Sequence, residues 1–431
     1  MVELSTVRAW HPDPTRSNPD RLVCPVYDTL SEEELAQFDT RPFNAAGFVP
    51  RPQHLDLEQF LRQATSKLES AHRSGVYVRD RTPSLYVYGI RYVPPADILE
   101  TIHAEHRRPE YLLLGLVGAL NFDLLGHGDV ALHEHTFPDR VSERVALTDA
   151  TGTTFAPIMA GYHQPDHHLN SRIEQWLGVD RRRMAFGGDH APVLEATLNG
   201  TSHRLWRIDD PGLVEELRGE MRSLRVLILD GHHRFTAAAK RHYAGRPSSP
   251  LVMLVNGQDR ALQVMPWHRV LPHQVLPHDT LLQAAEREPS LTVRSMGSPS
   301  VEGVLARLGE MGRAHRRGFL MVGEGAFHEI HGESSNDVGA DFDQLHGFLE
   351  DRLGIDPHAL EFFRSPRHAI ERIRAGDADP GRSTALLLPG LTEKGIEERA
   401  FGRAVVMAHK STMFLPKVAE GVIFAPADGS V

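Results

Sequence analysis

A single cysteine, Cys24, is all the thiol this chain has, so no intrachain disulfide can form and a CxxC metal site is excluded. That scarcity fits a reducing compartment, and a cytoplasmic protein is expected. Long apolar runs are missing too. Nowhere do about 18 uncharged apolar residues stand in succession, so no membrane-spanning helix is expected. The opening stretch MVELSTVRAWHPDPTRSNPD lacks the apolar segment of a secretory signal. Positive charge is in short supply: 47 Lys and Arg stand against 57 Asp and Glu, for a net charge of −10. This argues against nucleic acid or an anionic membrane as partner, since both need clustered Lys and Arg. A small nucleotide needs only a local basic pocket. Familiar signatures are also absent: there is no GxxxxGK(S/T), no GxGxxG opening a helix and no GxSxG elbow.

What is present is globular. With 41% hydrophobic and 24% charged residues over 431 positions, the chain can bury more than one core. The expected fold class is mixed α/β, in three regions: an N-terminal α/β region over 1–125, a core over 126–275 and a C-terminal α/β domain over 276–431. In the first, Val23–Tyr27 is a short strand candidate, and Ser31-Glu32-Glu33-Glu34 is a capping box opening a helix. Helical spacing runs from Leu55 to Ala71 and stops at Gly75; Ser84–Tyr88 and Leu112–Asn121 are strands. In the second, a strand closes at Ala131-Leu132, and Asp139–Ala150 is a helix. Arg225–Leu229 and Leu251–Val255 are buried strands, with a helix over Phe235–Tyr243 between them. Asn199-Gly200-Thr201 is a hairpin turn. In the third, helices are expected at Val301–Met311, Asp343–Leu353 and His368–Ile373, and strands at Gly318–Val322, Ala385–Leu388 and Val422–Phe424. A turn is expected over Gly332–Asp337.

The strongest chemical signal is a strand passing directly into Asp230-Gly231-His232-His233-Arg234 and then a helix. The first turn of a helix has backbone N–H groups without partners, and with the helix dipole they favour a phosphate. Gly231 permits the tight turn; His232, His233 and Arg234 add donors, and Arg can grip phosphate oxygens in pairs. Asp230, at the strand's end, is a candidate for Mg²⁺ or a substrate hydroxyl. The bland alternative is an ordinary helix start with exposed polar residues. The second signal is His133-Glu134-His135-Thr136. Glu134 is a general-base candidate; His133 and His135, on one face of a strand, could instead be metal ligands, or the group could cap the next helix. The third is Lys410-Ser411-Thr412-Met413-Phe414-Leu415-Pro416-Lys417, where two lysines and two hydroxyls could neutralise phosphates or merely form a surface turn. Trp267-His268-Arg269 is a weaker candidate of the same kind, with His268 open to a structural role. His163, His167 and His168 are set aside as solvated loop residues.

Taken in order, PVYD (Pro25–Asp28), HEHT, DGHHR, HRV (His268–Val270) and KSTMFLPK resemble the domain-of-unknown-function 1015 family over nearly the whole chain. The DGHHR segment is also similar to that of free serine kinases, which share a superfamily with ParB nucleases/CTPases and sulfiredoxin. The resemblance implies a ParB/sulfiredoxin-like core and a nucleotide, ATP or ADP with Mg²⁺, as phosphoryl donor. It casts Glu134 as the base that takes the acceptor's proton, Asp230 and His233 as its catalytic companions, and Gly231, His232 and Arg234 as the phosphate cradle. His268, Arg269, Lys410, Ser411, Thr412 and Lys417 would extend the nucleotide site; His133, Thr136 and Trp267 would face the substrate. Three places depart from the usual pattern: Val26 replaces a proline, Met407-Ala408-His409 replaces MPQ, and Trp267 replaces a threonine. Sulfiredoxin chemistry needs a cysteine where His232 stands.

The expectation is therefore a kinase acting on a small hydroxyl compound, with free L-serine or a related hydroxy amino acid first in line. Two rivals are a metal-dependent hydrolase using His133, His135, Asp230 and His232, and a non-catalytic nucleotide-binding regulatory protein.

Overall fold

The computed structural model describes residues 1–430 except 27–29, 31, 50–55, 96–106, 165–167, 299, 314–317, 324, 333–338, 376–382 and 404. Tyr27 and Asp28 of PVYD, the capping Ser31, Leu55, His167 and most of the turn expected at Gly332–Asp337 lie outside the described residues.

Among the described residues, nine strands form one mixed sheet: β1 Leu4–Ser5, β2 Leu85–Tyr92, β3 Tyr111–Leu120, β4 Val130–Leu132, β5 Ile158–Tyr162, β6 Leu194–Leu198, β7 Thr201–Ile208, β8 Val226–Asp230 and β9 Leu251–Asn256. Their order is β6-β7-β2-β3-β9-β5-β8-β4, with β1 on the end of β3. The run Tyr111–Leu120 is apolar throughout because β3 is central and covered on both sides. Leu113 and Val117 enter one core; Leu112, Leu114 and Leu116 enter the other. A strand with two buried faces loses the polar alternation of a half-exposed one. The β6–β7 hairpin turns at Asn199 and Gly200, both with positive φ (48° and 79°), as a tight turn of this kind demands. Pairing of β3 with β9 joins residues on both sides of position 125, so the boundary expected there falls within one sheet.

Helices flank this sheet. An N-terminal helix, α1, spans Glu32–Asp39, and α2 spans Leu57–Ser74, ending on Gly75 in the left-handed conformation. Next along the chain are the helices α3 (Pro138–Thr151), α4 (His168–Leu177), α5 (Pro211–Met221) and α6 (His232–Tyr243). The α6 helix starts three residues earlier than the apolar pattern suggests, because His232, His233 and Arg234 form its first turn.

A second, antiparallel sheet is built from β11 (His268–Leu271), β12 (Thr292–Ser295), β13 (Phe319–Val322), β14 (Phe327–His331), β15 (Glu361–Phe363) and β16 (Thr384–Leu387), in the order β12-β14-β13-β16-β11-β15. It therefore begins at His268, a few residues before the expected boundary. Its helices are α7 (His278–Arg287), α8 (Val301–Arg313), α9 (Ala340–His346), α10 (Pro366–Arg374) and α11 (Glu393–Glu397). The helix expected at Asp343–Leu353 begins at Ala340 and widens to a π-helix over Gly347–Arg352.

The C-terminal segment returns to the first layer. β17 (Thr412–Leu415) pairs with β10 (Gln263–Pro266), and Ala425–Pro426 pairs with Thr153–Thr154. Two expected strands fail here: Cys24 and Phe424 make only isolated bridges, to Glu420 and Trp10. Phe424 is buried against His72, Tyr77 and Phe155 without a ladder, and burial alone does not create a strand. Among the described residues no helix is long and apolar enough to cross a membrane.

Candidate functional site

Strands β4 and β8 are adjacent and parallel, with Leu132 opposite Ile228. Parallel neighbours finish at the same edge of a sheet. HEHT, at the end of β4, and DGHHR, at the end of β8, are therefore delivered to one place. The third motif arrives from the C-terminal side: Met407 N donates to His133 O (2.7 Å) and His135 N to Met407 O (3.0 Å).

Gly231 caps α6 with φ 90°, a conformation that a side chain would strain, and an added Cβ would stand 3.0 Å from the Arg234 guanidinium. It supplies no side-chain cap, and the first intrahelical bond is Phe235 N to Gly231 O (2.9 Å). The amides of the first turn thus precede the helical ladder, as in a helix tip that receives an anion. The surroundings are basic. Burial, and after it the nearby charges of Lys410, Arg144 and Arg140 together with His409, pushes His233 down to about 4. Of these cations Arg140 is already paired with Glu143 and Asp139, and positive charge beside a helix tip is what a small anion needs.

Glu134 sits between two motifs. Its Oε2 accepts from Ser411 N (3.0 Å) and Thr412 N (3.3 Å) and lies 3.4 Å from Thr412 Oγ1, and its Oε1 lies 3.4 Å from His232 Nδ1. His133 is buried, with Nδ1 2.8 Å from Ile228 O and 3.2 Å from His232 Nε2, and Nε2 2.7 Å from Thr412 Oγ1. Burial holds both His133 and His232 down to about 3, so both are neutral near pH 7. One tautomer set serves the shorter contacts, with the Thr412 hydroxyl hydrogen going to His133 and not to Glu134. Thr412 donates to His133 Nε2; His133 Nδ1–H serves Ile228 O and His232 Nε2; His232 Nδ1–H points at Glu134.

Asp230 forms ion pairs with Lys417 and with Arg234 Nη2 (3.3 Å). Burial would raise its pKa, but Lys417 and Arg234 outweigh that and hold the carboxyl well below the usual range. Its two oxygens are each taken by a cation, so the site does not fit Mg²⁺ at Asp230. The expectation of a metal-binding Asp230 is corrected accordingly. Arg234 is likewise committed: its Nη1 donates to Ala156 O (2.9 Å) and Pro157 O (3.0 Å). It braces the turn where a phosphate-gripping arginine was expected. With Arg144 and Glu420 it also lines a solvent-open cleft of ≈ 570 Å³, which Glu134 does not line.

Arg269 and His268 are corrected in the same way. Arg269 is fully buried, donating to the carbonyls of Trp267, His409 (3.2 Å) and Lys410 (3.0 Å) and contacting His346 Nε2 (3.0 Å). It supports the 409–412 loop from beneath. Burial brings its guanidinium down to about 9, with Glu134 and Glu350 opposing the shift. His268, also buried, accepts from Leu388 N (3.3 Å). Trp267 is buried, with the Lys410 ammonium 5.0 Å from its ring. Ser411 Oγ donates to Ala408 O (2.7 Å), and Thr136 is half-buried beside His409.

The four ligands of a supposed hydrolase metal do not converge. His133 uses both ring nitrogens, Asp230 is ion-paired, and His135 is exposed beside His409 with ring centroids 5.7 Å apart. Sequence reasoning missed Phe137, whose N donates to His233 Nε2 (3.0 Å) and whose ring stacks on His409 at 4.2 Å. It also missed His346, which pairs with Glu350 behind Arg269. Phe137 stands directly after HEHT, so proximity was an available signal. His346 had none, since it lies 77 residues from Arg269.

Among solved structures, the chain is similar to a free serine kinase in complex with AMP, at 12% identity and TM-score 0.39, covering 70% of this chain and 87% of that one. A conserved hypothetical protein from Pyrococcus furiosus matches at 12% identity and TM-score 0.37, over 70% and 90% of the two chains. SbnI with C-terminal truncation from Staphylococcus aureus matches at 12% and 0.35, over 69% and 82%. Likenesses this distant say nothing of chemistry. No curated protein matches the sequence. The family model described as "Protein of unknown function (DUF1015)" matches residues 4–348, most of the chain and both the HEHT and DGHHR motifs, and the protein belongs to that family.

Proposed function

We propose that the protein is a kinase transferring a phosphoryl group from ATP or ADP to the hydroxyl of a small molecule, with free L-serine or a related hydroxy amino acid as the acceptor class. One observation carries the reading: Glu134 Oε1 lies 3.4 Å from the first residue of α6. A carboxylate thus faces a helix tip around which Lys410, Arg140 and Arg144 gather. Phosphoryl transfer asks a protein mainly for positioning and charge stabilisation. Here the amides of the α6 first turn and Lys410 hold the phosphates, and Glu134 accepts the proton of the attacking hydroxyl. The Asp230–Lys417 and Asp230–Arg234 pairs keep the turn rigid. Mg²⁺ belongs to the nucleotide substrate, coordinated by its phosphates. The test is incubation with ATP or ADP, Mg²⁺ and a panel of hydroxy amino acids, monitored by ³¹P NMR. A phosphate ester with at least one acceptor is expected; none with any acceptor overturns the assignment.

A second reading has its own observation. Glu134 Oε2 already caps Ser411 and Thr412, which suits a nucleotide-sensing protein whose loop is held by this carboxylate. Saturable nucleotide binding with no turnover would favour it.

A further inference from the structure

The opposite end of the large sheet holds a second group of chemically capable side chains. Strand β5 runs antiparallel to β8, with Met159 opposite Asp230 and Tyr162 opposite Val226. His163, the next residue, therefore lies at the edge remote from the DGHHR turn. Glu393 and Glu397 face it from α11, one turn apart and so on one face of that helix. One ligand atom from each of His163, Glu393 and Glu397 falls within 4.8 Å of the other two. The Glu393 carboxylate rests on the backbone of Gly257, where an added Cβ would lie 2.4 Å from Oε1. Gly257 N in turn donates to Tyr162 O (2.8 Å), tying the floor of the cluster to the end of β5.

Two features separate this cluster from an ordinary solvated acidic patch. Among the described residues, no Lys or Arg pairs with Glu393 or Glu397; Lys394, their neighbour, pairs with Glu398 instead. Two half-buried carboxylates one turn apart repel each other. The second feature is the imidazole. His163 Nδ1 is buried and makes no hydrogen bond, standing 3.5 Å from Glu397 Oε2. That is too long for a charge-assisted N–H···O bond, about 2.7–2.9 Å. It is the separation of two ligands each about 2.0–2.2 Å from a tetrahedral Zn²⁺, which stand about 3.3–3.6 Å apart.

We infer that His163, Glu393 and Glu397 form a binding site for a first-row divalent transition metal ion, separate from the DGHHR site. One imidazole with two carboxylates favours Zn²⁺ over Mn²⁺ by the usual affinity order, and disfavours Mg²⁺, which prefers oxygen ligands alone. The three residues come from segments about 230 positions apart, so the ion clamps the end of β5 to α11. Downstream of α11 the chain reaches Met407, which pairs with the HEHT segment, so the clamp anchors the stretch that carries the KST loop. His163, set aside as a solvated loop residue on sequence grounds, is the ligand from the first layer. This inference is independent of the kinase reading.

The test uses the full chain, stripped with chelator and titrated with Zn²⁺, Mn²⁺ and Mg²⁺ by calorimetry, with bound metal counted by elemental analysis. Wild type is expected to hold about one tight Zn²⁺ per chain, to bind Mn²⁺ more weakly and Mg²⁺ not measurably. The double variant Glu393→Gln/Glu397→Gln should lose that equivalent, with affinity at least about tenfold weaker, while Glu134→Gln keeps it. Should the double variant fold poorly, His163→Gln is followed by thermal melting: Zn²⁺ raises the wild-type midpoint and leaves the variant's unmoved. Equal Zn²⁺ binding by wild type and the cluster variants, or its loss in Glu134→Gln, overturns the site.

Discussion

Replacing Glu134 by Gln separates chemistry from architecture. The carboxylate serves two neighbours: Oε2 receives the Ser411 and Thr412 amides at 3.0 and 3.3 Å, and Oε1 faces His232 Nδ1 at 3.4 Å. A Gln of the same shape keeps its carbonyl oxygen for the two amides. Its NH₂ then turns to His232, whose tautomer switch puts an N–H opposite His133 Nδ1 and so turns the His133 tautomer and the Thr412 hydroxyl with it. The loop therefore stays in place while proton-accepting capacity is lost. Removing a general base costs about 10²–10⁴ in rate, or about 3–5 kcal/mol of transition-state stabilisation at about 1.4 kcal/mol per decade. Glu134→Ala adds the loss of both amide bonds, each worth about 1.5–3 kcal/mol when the acceptor is charged, and should also lower the melting midpoint. Steady-state kinetics of phosphate-ester formation, beside thermal melts of both variants, give the comparison. For Glu134→Gln, a kcat fall of at least about a hundredfold with a melting curve close to wild type is expected. If Glu134→Gln keeps kcat within about threefold, or if its only defect is a raised KM, Glu134 is not the base and the loop-capping role is what remains.

Other perturbations probe the support around the site. Lys417→Met leaves Asp230 with Arg234 alone and should cost about 1.5–3 kcal/mol in urea unfolding, much of it recovered in the Asp230→Asn/Lys417→Met double variant; additive losses would show that the pair is not coupled. Gly231→Ala forces a side chain into φ 90° against Arg234 and should destabilise by about 1–3 kcal/mol, seen as a lower melting midpoint with weaker nucleotide binding. Acid should be destabilising before carboxylates titrate. His133, His232 and His233 have folded pKa values near 3, 3 and 4, below the ordinary 6.5. Between those limits the unfolded chain binds more protons, so stability falls as pH drops, by up to about 1.4 kcal/mol per pH unit for each histidine. Melts from pH 7 to pH 4 check this, and a flat profile would refute the neutral-imidazole network.

Much of the local structure was legible in the residues themselves. Leu112–Asn121 read as a strand, Gly75 ended α2, and Asn199-Gly200 turned a hairpin, because propensity, periodicity and positive φ are properties of a few adjacent residues. DGHHR could likewise be recognised as a strand running into a helix tip. Less could be read where a side chain's duty depends on distant partners. Arg234 and Arg269 looked like phosphate ligands, since a guanidinium in a motif carries no sign of which carbonyls will claim it. Only the parallel pairing of β4 with β8 decided that Glu134 faces His232, and only the return of the C-terminal segment placed Ser411 and Thr412 on Glu134. His163 met Glu393 and Glu397 for the same reason. Local sequence sets what a segment prefers; which groups share a charge, a proton or a ligand is settled by contacts between segments hundreds of residues apart, and those exist only once the sheets have assembled.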